Sequence, residues 1–310
     1  MSTQPETAVA GKGRKRGRRA ASATQPGIGS AGTGSHAEGE PGHLEVHWFA
    51  GRGPIPGRRV RIWRPNLNGP SAAAPHAVLY LQDGQNALDD ASATTGRGLR
   101  LHRTAQRLCQ QGKLQPLLLV AIDHSGPGRT FDYTPVPWQG RGGGGLAYAE
   151  FLLAKVLPFV AAHYPVAKGP AGHALAGCSL GGLLALATAL RFPSVFGHAA
   201  AWSPSAFWAN DHLRHCVQSH ARQPVRLWLD AGSREGRELQ RSVGDLAAHL
   251  AACGWQKHRT AHRATLRHSL VRGGRHDEAS WGARGGRLLQ FLFPPPPKRP
   301  RRQPKQPEAP

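Results

Sequence analysis

Residues Gly177-Cys178-Ser179-Leu180-Gly181-Gly182 constrain this chain more than any other stretch. A short apolar run, His173 to Ala176, leads into them, and a nearly all-apolar run, Leu183 to Leu190, leads out. The first has the length and continuity of a strand covered on both faces; the second reads as a buried helix. A strand that turns into a helix within a Gly-x-Ser-x-Gly pattern holds its serine on a strained corner. Cβ atoms on the neighbouring residues would clash there, hence the glycines. The corner carries the Ser179 hydroxyl above the sheet and aims the Leu180 N–H, at the helix start, toward a developing oxyanion. A glycine-rich turn of this plan can also hold phosphate, but no lysine follows it as in a P-loop.

The rest of the chain fits a sheet around that corner. Ala77 to Leu81, Leu117 to Ile122, His173 to Gly177, His198 to Trp202, Val225 to Leu229 and Leu266 to Val271 are short runs suited to strands. His43 to Phe49 and Arg59 to Trp63 read as an opening antiparallel pair. Helical spacing appears over Leu146 to Tyr164, Leu183 to Leu190, Leu239 to Cys253 and Gly285 to Phe293. Strands alternating with helices predict an α/β architecture: a mostly parallel central sheet with helices on both faces. No internal repeat is present.

A serine nucleophile needs a base, and on a sheet of this kind the partners follow in the order serine, acid, histidine. His276 stands in Gly273-Gly274-Arg275-His276-Asp277-Glu278, directly after the last strand. Loops at the carboxyl ends of strands form the site in open α/β sheets. No other histidine after residue 230 combines that position with flanking glycines. Two acids compete. Asp230 ends the Val225–Leu229 run, and Glu235 lies five residues further, in the loop. Glu235 is favoured because a loop carboxylate can reach across to the imidazole, whereas Asp230 can hold the loop by hydrogen bonds.

Composition sets the boundaries. Residues 1–40 are rich in Gly, Ser, Thr, Ala and Pro and carry six basic and three acidic residues. Residues 294–310 open on four prolines and hold five basic residues and one acidic. Neither end can bury enough apolar surface to offset its ordering entropy, so both are expected to be disordered tails around one domain of residues 41–293. Of the net charge of +22, the core keeps +15. No base-reading motif accompanies that charge, so it points only to weak, salt-dependent contact of the tails with polyanions. The four cysteines show no zinc or disulfide spacing, so no metal is expected. No apolar segment follows the basic N-terminus, and no apolar run approaches the roughly 20 residues of a membrane span. A cytoplasmic protein is the expectation.

Several further segments, in order, resemble the putative-esterase family of α/β hydrolases, which includes enterochelin esterases, feruloyl esterases and esterase D. They are Leu79 to Asn86 with its Asp-Gly-Gln-Asn end, Ala121 to His124, Arg129 with Asp132 to Pro135, and the Ser179 corner. Phe192-Pro193, Ser203-Pro204-Ser205 with Trp208, Asp230 to Glu235, and Gly274 to Glu278 with Trp281 complete the series. The resemblance spans about residues 43–293 and implies the α/β-hydrolase fold. It implies a second oxyanion donor after the first core parallel strand, the Gln85 N–H. Asp83, Trp202, Trp208 and Trp281 are candidate pocket residues, core packing being the other role open to each tryptophan. Where family members carry a phenylalanine after Asp-Gly-Gln-Asn, this chain has Ala87-Leu88.

The expected chemistry is hydrolysis of a small carboxylic ester through an acyl-enzyme on Ser179, with no cofactor. An acyltransferase would share every one of these residues. A reading from a different class, a non-catalytic polyanion- or nucleic-acid-binding protein, rests on the basic tails alone.

Overall fold

The computed structural model describes residues 40–218, 224–258 and 265–295. The tails expected at 1–40 and 294–310 lie outside the described residues, except for Glu40, Pro294 and Pro295. Glu40 is tied down: it pairs with His102 at 2.8 Å and with Arg103.

Ten strands are described: β1 (His43–Phe49), β2 (Arg58–Arg64), β3 (Ala77–Gln82), β4 (Leu117–Ile122), β5 (Pro137–Trp138), β6 (Arg141–Gly142), β7 (His173–Cys178), β8 (His198–Trp202), β9 (Arg226–Gly232) and β10 (Leu266–Val271). The α-helices are α1 (Pro70–Ala73), α2 (Leu101–Gln110), α3 (Arg129–Tyr133), α4 (Gly145–Phe151), α5 (Leu157–His163), α6 (Leu180–Arg191), α7 (Trp208–Gln218), α8 (Arg237–Ala252) and α9 (Glu278–Leu292). Eight strands form one sheet in the order β1-β2-β4-β3-β7-β8-β9-β10, and β5 and β6 make a separate hairpin. β2 runs antiparallel to β1 and β4; from β4 to β10 every neighbour is parallel. This is the α/β-hydrolase fold.

The continuous apolar runs are explained by two cores, one on each face. Along β3, Val78 and Tyr80 enter one cluster while Ala77, Leu79 and Leu81 enter the other. β4 divides in the same way, since alternate side chains of a strand point to opposite faces. Helices α4 to α8 cover the first face; α2 and α9 cover the second. Each fully buried Leu, Ile or Val contributes about 1.5–3 kcal/mol of transfer free energy.

Three differences from the sequence expectation bear on the site. β9 runs on to Gly232 because β10 pairs with it as far as Val271↔Gly232, so Asp230 lies inside the strand. α9 begins at Glu278, well before Gly285, because the Asp277 side chain caps it by accepting the Ser280 N–H at 2.7 Å. The third is the Gly145–His163 segment, 19 residues long and, by length and composition alone, apolar enough to cross a membrane. Here Tyr148, Phe151, Leu152, Val156 and Val160 of that segment are buried in the core. Its middle turn, Leu152–Val156, is a π-helix just before Pro158, whose missing N–H breaks the regular ladder.

Candidate active site

Ser179 caps α6 with φ 56° and ψ −122°, a left-handed conformation that costs a non-glycine residue energy. The surroundings hold it there. Its N–H donates to Trp202 O at 2.9 Å, and its carbonyl accepts from Leu183 and Ser205, both at 3.1 Å. A Cβ on Gly177 would lie 2.4 Å from the Gly181 backbone, and one on Gly181 would lie 3.1 Å from Asp83 Oδ2. The glycines therefore let strand, helix and the end of β3 close on one another. The Ser179 hydroxyl hydrogen-bonds Ser205 Oγ at 3.3 Å, not the imidazole. Leu180 opens α6, so its N–H is one of the first-turn donors without an intrahelical acceptor.

The acid and histidine loops are laced together two strands away. Arg234 N–H donates to Gly274 O at 2.9 Å, Ser233 N–H to Val271 O at 2.9 Å, and Gly273 N–H to Ser233 Oγ at 2.8 Å. This lacing brings Glu235 Oε2 to 3.6 Å from His276 Nδ1, an ion-pair distance somewhat longer than a hydrogen bond. Burial pushes the Glu235 carboxyl up, but the His276 and Ser203 contacts outweigh it, and the group is held below the usual carboxylate range. The imidazole lies edge-on to Trp281, ring centroids 4.7 Å apart.

Asp230 does not face the imidazole. Its Oδ2 accepts the Trp228 indole N–H at 3.0 Å, its carbonyl accepts the Ser203 N–H at 2.9 Å, and Arg284 stands 3.4 Å from Oδ1. Burial pushes it up to about 6. Of the two acids weighed on sequence, the structure brings Glu235 to His276 and keeps Asp230 in the sheet.

Ser203 joins the halves. It sits at φ 47° just past β8, donates to Glu235 Oε1 at 2.8 Å, and accepts from Trp281 Nε1 at 3.0 Å and Arg284 Nη2 at 3.2 Å. Since Trp202 and Ser205 on either side of it hold Ser179, one short segment positions both serine and acid. The sequence assigns the Ser203-Pro204-Ser205 run no chemical role, and nothing local marks Arg284, an arginine two turns into a helix.

The remaining predicted residues separate. Asp83 is not an open pocket group: Arg129 clamps it with two bonds of 2.6 and 2.8 Å, and its N–H donates to the Tyr133 hydroxyl. Gln85 is buried in the turn after β3, its side-chain Oε1 accepting the His124 N–H at 3.1 Å. Trp202 is wholly buried in the core on the α9 side, which is packing, not a pocket wall. Trp208 is also packed, donating to Val136 O and lying edge-on to Trp138. Of the three indoles only that of Trp281 touches the site; Trp202 meets it through its backbone carbonyl alone. A cavity of about 490 Å³ lies elsewhere, between α4, α6 and α7, and neither Ser179 nor His276 lines it.

A family model described as "Putative esterase" matches residues 57–284, which include every site residue from Asp83 to Arg284. YbbA of Bacillus subtilis (strain 168), itself described as uncharacterized, is 27% identical over 190 residues, 59% of this chain and 71% of that protein. BES protein from Bacillus cereus superposes with a TM-score of 0.65 at 18% identity, covering 81% of this chain and 94% of that one. The enterobactin esterase FES from Shigella flexneri, solved with 2,3-di-hydroxy-N-benzoyl-glycine, gives 0.60 at 20% identity over 83% of this chain and 59% of its own. With the family match spanning most of the chain, this protein belongs to the putative-esterase family of α/β hydrolases and is an enzyme acting on ester bonds.

Proposed function

We propose that the protein hydrolyses small carboxylic esters by two-step acyl transfer, with Ser179 as nucleophile, His276 as base and Glu235 as the acid that orients it. The observation that carries this reading is the Glu235–His276 pair at 3.6 Å, joined through Ser203 to the strained Ser179 corner. With Nδ1 turned to Glu235, Nε2 is the imidazole nitrogen left for the Ser179 proton. The hydroxyl, 3.3 Å from Ser205 Oγ in this structure, turns to Nε2 when an ester fills the site; such bonds often tighten only in the substrate complex. Ser179 Oγ attacks the ester carbonyl, the Leu180 and Gln85 N–H groups hold the oxyanion, and His276 passes its proton to the leaving alcohol. Water, activated by the same imidazole, then releases the acid.

A fluorophosphonate probe tests the nucleophile: it should label Ser179, seen by peptide mass, and Ser179→Ala should not label. Turnover is then read on short-chain aryl esters and on enterobactin, included because one structural neighbour is named for it. Labelling at another residue, with no turnover on any ester, would refute the assignment.

A further inference from the structure

Arg284 enters the site from α9 with only 6% of its side chain exposed. A single nitrogen, Nη2, serves three oxygens. It donates to Ser203 Oγ at 3.2 Å and stands 3.4 Å from Asp230 Oδ1 and 3.5 Å from Glu235 Oε1. Its Nε and Nη1 are buried without a hydrogen-bond partner. Both carboxylate side chains are fully buried. One guanidinium thus faces two carboxylates away from water, where charges interact more strongly than at the surface. The more Asp230 holds that cation, the less of Glu235's charge the cation cancels.

We propose that Asp230 and Arg284 are a positioning pair for the reaction: Asp230 anchors the guanidinium at β9, so that Glu235 keeps enough negative charge to stabilise His276 as it takes up the Ser179 proton. This inference rests on the Ser179, His276 and Glu235 assignment above.

Around Glu235 the titratable and charged groups are His276 from the β10–α9 loop, Arg284 from α9 and Asp230 from β9. Cys178, at the end of β7, faces Asp230, Arg284, Glu278 and Asp83, but burial holds its thiol far above its ordinary value, so it stays neutral. Burial, more than the nearby Glu235 charge, raises Asp230, and Arg284 is the chief influence opposing it. A negative charge near an imidazole raises its proton affinity and a positive one lowers it. Removing Asp230's charge and removing Arg284's charge should therefore move the base in opposite directions.

The test is the pH dependence of kcat/KM on p-nitrophenyl acetate, whose acid limb reports the free enzyme's base as coupled to Asp230, itself pushed up to about 6. Asp230→Asn should shift that limb down by about half a unit or more, and Arg284→Gln should shift it up by about as much, given charges this close at low effective dielectric. The double variant should return near the wild-type position, and Arg284→Lys, which keeps the charge, should stay there. Lower activity without movement of the limb, or movement in the same direction for both variants, overturns the proposal. Should Arg284→Gln fail to fold, the downward shift of Asp230→Asn and the unmoved limb of Arg284→Lys decide it alone. A wild-type limb that no variant moves sinks this inference only. Full turnover by Ser179→Ala sinks the triad beneath it as well.

Discussion

Glu235 Oε2 lies 3.6 Å from His276 Nδ1, the carboxylate fully buried and the imidazole 38% exposed. The pair has one face on the protein and one face open, which suits a base that must meet a substrate. Ser203 and Arg284 hold the closed side, and Trp281 bounds the ring.

Ser179→Ala should lower kcat on an aryl ester by on the order of 10³-fold or more while leaving the melting temperature within a few degrees of wild type. Oxyanion donors and substrate contacts survive the change, so some rate above water remains. Stopped assays on the folded variant, checked by circular dichroism, measure both quantities.

Glu235→Gln should slow turnover more than Asp230→Asn, by roughly 10²-fold or more against about tenfold or less. Loss of the acid beside a catalytic histidine can cost ~10⁴ in serine proteases. Asp230 does not touch the imidazole. Steady-state kinetics on both variants would expose the reverse ranking.

Gly177→Ala should damage both stability and activity. Its Cβ would sit 2.4 Å from the Gly181 backbone, and backbone atoms of a buried turn cannot move aside cheaply. The loss expected is about 1–3 kcal/mol or more from overpacking, with Ser179 displaced. Denaturant unfolding would show it as a lower midpoint at an unchanged slope.

Acid should destabilise the fold through His198. Burial, the largest cause, pushes this histidine down from 6.5 to about 4, while its Nε2 bonds Ala171 O at 3.0 Å. The unfolded chain then takes up a proton that the native state refuses, so stability falls as pH drops from 6.5 toward 4. The contribution is about 3 kcal/mol at most. His198→Gln should flatten the melting-temperature profile over that window; a parallel profile would refute the assignment.

A chain trimmed to residues 40–295 should keep its kcat on a small ester. The trimming removes eleven basic and three acidic residues but keeps Glu40, which pairs with His102 and Arg103. Whatever binding to DNA the full chain shows should weaken and its salt dependence flatten, since each phosphate contact contributes roughly 0.9 to the log–log slope. Gel-shift titrations at two salt concentrations measure this; tight, selective binding at the higher salt would contradict it.

Local pattern was enough for the architecture. His43–Phe49, Leu117–Ile122, His198–Trp202 and Leu266–Val271 are strands with the bounds expected from the sequence; in Leu117–Ile122 and His198–Trp202 burial on both faces writes itself into consecutive apolar residues. The Ser179 corner was legible for the same reason: its glycines and flanking runs are neighbours in the chain. What sequence left open was set by contacts between distant residues. Asp230 and Glu235 are five apart and chemically alike. Pairing of β10 with β9 draws Asp230 into the sheet and leaves Glu235 on the loop that crosses His276. Trp202 and Trp281 read alike along the chain, yet one fills the core and the other bounds the imidazole. Arg284 meets Ser203 across 81 positions, a distance over which no periodicity or spacing carries information, so only tertiary packing brought it to the site.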